Sequence, residues 1–152
     1  MAQWITDRTQ SDVDRVKEIT AKARTGTWTD AEQKEWLAGM KGALNYTDFN
    51  RIEFGIQELG FIVGASVSVK TDWTDSGYMK VSDANRWLSN VNSIRTKCSG
   101  PFAIADTPES MNKLDFSTMN QIEQILLDIE TLAKTYTTFS GEYMTGEGQY
   151  GF

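Results

Sequence analysis

Glu53 and Glu123 stand at matching places in two similar helical patterns, and a pair of carboxylates is the smallest kit for acid–base chemistry such as glycoside hydrolysis. Each directly follows an apolar residue of a core-facing stripe, Ile52 or Ile122. On a helix that places it beside the stripe, partly exposed, where a charged rim residue sits. The acids of Asp72-Trp73-Thr74-Asp75-Ser76-Gly77 are wrongly spaced for a calcium loop and lack its closing glutamate. That segment reads as a turn with Trp73 folded onto the core. Gly39-Met40-Lys41-Gly42 has neither the preceding strand nor the spacing of a phosphate cradle. The chain has no histidine, which removes the commonest general base, transition-metal ligand and pH switch. Its one cysteine, Cys98, lies one turn beyond Ile94 and reads as a buried thiol, with no partner for a disulfide. No catalytic, cofactor-binding or metal residue is assigned, no cofactor is expected, and the chain is not read as an enzyme.

The two glutamates belong to a repeat. Tyr46–Leu59, Val81–Ile94 and Phe116–Ile129 each carry an apolar residue, Ser or Thr, two variable positions, Asn, then Arg or Gln, then a large apolar residue. The starts are spaced by 35 residues both times, and a weaker copy begins at Ser11. A fixed period of this size marks stacked supersecondary units. Read as a helix start, the pattern makes Thr47, Ser82 and Ser117 N-caps, with Asn50, Asn85 and Asn120 reaching back as capping-box partners. Apolar residues then follow at helical spacing: Phe49, Ile52, Ile56, Leu59; Ala84, Trp87, Val91, Ile94; Met119, Ile122, Leu126, Ile129. The first copy is poorer, with Val13, Val16, Thr20 and Ala23.

These stripes predict an all-α fold, a compact bundle of four to five helices on an imperfect repeat of about 35 residues. The first helix spans roughly Ser11 to Arg24, entered past Trp4 and Ile5. Thr29 and Glu32 form a regular capping box for the next, which carries Trp36, Leu37 and Met40 on one side. The alternation in Ser66–Thr71 suggests a short extended stretch. Pro108 could open a turn of helix over Glu109–Leu114. The last helix runs from Thr118 to about Tyr136. The expected division is a helical domain, 1–136, and a C-terminal arm, 137–152, with four glycines, four aromatics and no Lys or Arg. Glycine at that density resists helix. Phe139, Tyr143, Tyr150 and Phe152 are assigned to assembly, as an arm that docks on a neighbouring chain.

The whole chain has 152 residues, enough for one domain with a real core, and a net charge of −6. An acidic chain without a basic block is a poor match for phosphate backbones, so no nucleic-acid partner is expected. Phe61–Val69, the most apolar run, is far too short to span a bilayer, and MAQWITDRTQ lacks the features of a signal peptide. Neither membrane insertion nor secretion is expected.

The stretches WITDRTQSDVDRVKEI, GMKGALNYTDFNRIE, VKTDW, LDFSTMNQIEQILLDI and the Phe139–Tyr143 segment FSGEY resemble small proteins of phages and prophages of Gram-positive bacteria, found in the tail or baseplate region of the virion. The likeness covers nearly the whole chain and brings no catalytic residues. It implies a structural or adaptor component of a tail, baseplate or fibre, made in the bacterial cytoplasm and located in the virion. Its partners would be other virion proteins or copies of itself. The alternative is a cell-surface glycan-binding module whose exposed Trp and Tyr rings stack on sugars.

Overall fold

The computed structural model describes residues 3–98, 104–112 and 114–145, and side chains as far as residue 135. It is all-helical: α1 (Gln10–Thr25), α2 (Asp30–Ala38), α3 (Tyr46–Val63), α4 (Val81–Lys97) and α5 (Phe116–Thr145). No strand occurs among the described residues. Helices α3, α4 and α5 each pack on the other two, and the three stripes read from the sequence meet between them. Ile52, Trp87 and Ile122, which occupy equivalent positions, are fully buried. Each such side chain contributes about 1.5–3 kcal/mol by leaving water. Phe49 stands edge-on to both Trp73 and Trp87, with centroids 5.2 and 5.9 Å away.

The helices begin two residues earlier than the repeat suggested. The N-caps are Thr9, Asn45 and Lys80 rather than Ser11, Thr47 and Ser82. In α5, Asp115 rather than Ser117 takes the first-turn N–H of Thr118. Asp12, Asp48 and Asp83 reach back to the cap backbone, the task assigned to the asparagines. Thr29 and Glu32 cap α2 as the sequence indicated. The shift has a simple cause. Patterns two residues apart both fit a capping box, and a carboxylate at N3 also favours the positive end of the helix dipole.

The asparagines, released from capping, hold chain that returns along the helices. After the left-handed C-cap Gly64, residues 65–73 run back along α3. Val67 lies against Gly60, the Lys70 N–H donates to Glu53, and Trp73 meets Asn50. This strap is extended, with alternate residues turned inward, but it pairs with helices and not with a strand. It brings α4 back to the end at which α3 starts. Residues 104–107 likewise run back along α4, with Arg95 bonding Ala105 and Asn92 bonding Thr107. All three core helices therefore set out from one end. The short helix suggested after Pro108 does not form among residues 109–112, where the chain bends at Glu109 and Asn112 and buries Met111. The first strap in sequence order, residues 3–8, lies along α5 and precedes α1.

Helices α1 and α2 form a hairpin beside this unit, joined by Arg15–Glu35 and Lys22–Glu32 ion pairs. Gly42 is pressed on the first turn of α1 so closely that a Cβ would lie 2.2 Å from the Asp12 carbonyl oxygen. The last helix corrects another expectation: α5 continues to Thr145 instead of stopping near Tyr136, across the proposed boundary between domain and arm. A lone glycine, Gly141, costs a helix only about 1 kcal/mol, which a long helix tolerates.

Candidate functional site

The carboxylates that invited catalysis are buried structural anions. Glu53 and Glu123 are both fully shielded from solvent, in contrast to the partly exposed rim positions expected of them. Glu53 accepts from Arg86 Nη1 and Nη2 at 2.9 and 2.6 Å, from Trp87 Nε1 at 2.6 Å and from the Lys70 N–H at 3.2 Å. Glu123 accepts from Arg51 Nη1 and Nη2 at 2.6 and 3.1 Å, from Arg8 Nη2 at 2.8 Å and from the Ile5 N–H at 2.7 Å. With every ready lone pair committed, neither oxygen pair has access to a substrate proton. Burial works against the charge on Arg51, but the hydrogen bonds and charge of Glu123 outweigh it and raise the pKa above the usual arginine value. Hydrogen bonding to Glu53 does the same for Arg86.

Each carboxylate is one grip in a larger clamp, and the two clamps match. The Asn50 side chain donates to the Trp73 carbonyl and accepts its N–H, both at 2.9 Å. Asn120 does the same for Arg8, at 2.8 and 3.1 Å. Arg86 Nη1 donates to the Ser68 carbonyl and Arg51 Nη1 to that of Gln3. Asn90 adds a further two-way bond to Ser68. The strap of residues 104–107 is held differently. Leu88 replaces the glutamate, Asn85 is exposed, and Gln121 donates to the Asp106 carbonyl where the arginines stand in the other two. Trp4 donates to Glu130, pinning the first strap farther along α5.

By fixing Trp73, the Asn50 clamp positions the loop Thr74–Met79, which forms one wall of an open groove. The opposite wall is the end of α2, the Gly39–Asn45 connection and the first turn of α3. The groove encloses about 700 Å³ and lies at the end from which the core helices start. Its rim is apolar and uncovered: Leu37 is 77% exposed, Tyr78 87%, Tyr46 40% and Trp36 39%. The sequence put Trp36 and Leu37 on a packing face of α2, but that helix buries only Glu32. Trp73 and Trp87 are core residues, so Trp36 is the tryptophan the groove offers. A second apolar strip, Phe54, Phe61 and Ile62, is exposed on the outer face of α3.

No group of three or more potential metal-ligating side chains occurs among the described residues. Nor is any described helix long and apolar enough to cross a membrane. Phe139 and Tyr143, assigned to assembly from the sequence, fall on the last turns of α5, whereas Tyr150 and Phe152 lie outside the described residues. The fold and surface define an all-helical bundle with an apolar groove at one end. No family model, curated protein or solved structure matches this chain.

Proposed function

We propose that this chain is a non-enzymatic structural subunit of an assembled particle, of the kind found in a phage tail, baseplate or fibre. The observation that carries the reading is the uncovered apolar rim of Trp36, Leu37, Tyr46 and Tyr78. Contiguous apolar surface on an acidic chain mostly serves contact with another protein, because leaving it wet costs free energy in every unassembled copy. The resemblance to virion proteins supports the same role, with a location in the virion. The fold suits it too. The repeat of about 35 residues is read as a unit of strap plus capped helix, each strap lying on the helix of the preceding unit. The first strap closes the set by lying on α5. Such a body is rigid, held by buried clamps, and presents its contacts at fixed positions.

Sedimentation of the purified chain over a wide concentration range tests the proposal. Mass should rise with concentration, and Leu37→Ser should weaken the rise without altering the circular dichroism spectrum. A chain that stays monomeric but binds a surface polysaccharide through Trp36 would instead establish the glycan-binding reading, which the pairing of Trp36 with Tyr78 on one groove keeps in competition.

A further inference from the structure

The groove and the C-terminal end of α5 lie at opposite ends of the molecule. The groove takes in the first turn of α3 and the loop before α4, at the end where all three core helices begin. Arg51 near the start of α3 meets Glu123 near the start of α5, which sets the two helices level. From the level of Met119 to Thr145, α5 rises about 40 Å at 1.5 Å per residue. Phe152 follows Thr145 by seven residues. A fully extended chain of that length spans at most about 25 Å. Tyr150 and Phe152 therefore cannot reach the groove of their own chain.

From this separation we infer that the groove receives the Gly146–Phe152 segment of a second copy, so that subunits join head to tail. The inference rests on the assembly reading above and names the surfaces that meet. Segment and groove suit each other chemically. The segment, Gly-Glu-Gly-Gln-Tyr-Gly-Phe, presents two aromatic rings on a backbone whose glycines can follow a shallow, irregular wall. The groove presents Trp36, Leu37, Met40, Tyr46, Tyr78 and Met79, and no Lys or Arg that would demand an acidic ligand. A contact between two different surfaces is heterologous. It leaves a free groove at one end of a pair and a free segment at the other, and so propagates into a ring or an open filament. Both are forms that a tubular or annular particle uses.

The test uses two full-length variants altered at opposite ends. Leu37→Ser/Tyr78→Ser changes two exposed groove residues, and Tyr150→Ser/Phe152→Ser changes the segment. Circular dichroism confirms that each is folded, and sedimentation gives the masses. The unaltered chain should associate, and each variant alone should do so at least about tenfold more weakly. An equimolar mixture of the two variants should form a complex of one copy of each and nothing larger, because one good groove and one good segment remain. If the segment variant associates as well as the unaltered chain, the head-to-tail inference is overturned and the assembly reading stands. A mixture that yields no pair, or yields larger species, overturns it as well. If the unaltered chain itself remains monomeric at every concentration, both readings fall.

Discussion

Arg86 spans both carboxylate oxygens of Glu53 from a partly exposed position, while the glutamate itself is fully buried between α3 and α4. A buried carboxylate is costly to desolvate, and its partners must return that cost in the same place. Glu53 recovers it through the guanidinium, the Trp87 indole and the Lys70 N–H, so a single side chain ties α3, α4 and the strap together. Glu123 ties α5, α3 and the first strap in the same way. The arrangement supplies specificity of register that apolar stripes alone would leave loose.

Removing one partner of such a pair strands the other. Glu53→Ala or Arg86→Ala should each cost about 3–5 kcal/mol in chemical denaturation. The double variant Glu53→Leu/Arg86→Met should recover much of that loss, because it removes both charges and keeps apolar volume. If the double variant is as unstable as the sum of the singles, the two side chains are not acting as a pair.

The asparagines should matter as clamps and not as caps. Asn120→Ala leaves the Arg8 N–H and carbonyl without their partner, at about 1–3 kcal/mol for each group left buried. The loss should also be local: amide exchange should quicken over residues 4–9 while the centres of α3 and α4 stay protected. Asn85→Ala, at an exposed position, should change stability by less than about 0.5 kcal/mol. Equal effects at the two sites would mean the asparagines share a capping role after all.

Caps provide the complementary check. Asn45 accepts from the N–H groups of Thr47 and Asp48, so Asn45→Ala should cost about 1 kcal/mol, and Thr47→Ala much less. Thermal melts of the two variants decide between the registers.

The stripes were legible because burial repeats at helical spacing. Ile52, Trp87 and Ile122 fall at one position of the repeat and are all at the centre of the core. The cap register was not, since Asn45-x-x-Asp48 and Thr47-x-x-Asn50 both satisfy the same local rule. Only the strap, distant in sequence, decides which residue is spare. Glu53 and Glu123 were misplaced for a related reason: helical position says which way a side chain points but not whether an extended segment will cover it. A signal was present in the arginines. Arg51 and Arg86 recur at one repeat position directly after the asparagine, and a basic residue fixed beside a core stripe is a candidate partner for a buried acid. The groove was illegible because Trp36 and Leu37 have the composition of a core face. Only the failure of α2 to bury them reveals a surface.

The glycines make a sharp prediction about close approach. A Cβ on Gly42 would meet backbone of α1, the Asp12 carbonyl oxygen at 2.2 Å and the Val13 nitrogen at 2.6 Å, and backbone cannot rotate aside. A Cβ on Gly60 would meet Val67 side-chain methyls at 2.8 and 3.1 Å, on a strap that can shift. Gly42→Ala should therefore cost the more, within or above the roughly 1–3 kcal/mol of an overpacked site, and should separate the hairpin from the core. Gly60→Ala also gains helix propensity of about 1 kcal/mol, which offsets part of its clash. Urea midpoints showing Gly60→Ala as the worse of the two would contradict this packing.

Acid should loosen the α1–α2 hairpin through Glu32. The hydrogen bond from Lys22, helped by the Thr29 backbone N–H, holds the Glu32 carboxyl down to about 2 from an ordinary value of 4.5. A carboxyl that binds its proton less readily when folded stabilises the folded form wherever it is ionised in both states, above about pH 4.5. That contribution declines as pH falls, because the unfolded chain takes up the proton first, and is gone once the folded pKa near 2 is passed. Stability should therefore drop between pH 4.5 and about 2, and in Glu32→Gln the part of the slope due to this group should be absent. Glu18, lowered by Lys22 and Arg15, contributes in the same direction, so the variant should flatten the acid limb without abolishing it. Hydrogen exchange followed at pH 3 should show α1 and α2 opening before α3–α5. An acid limb of unchanged slope in Glu32→Gln would remove the hairpin ion pairs from any part in the acid response.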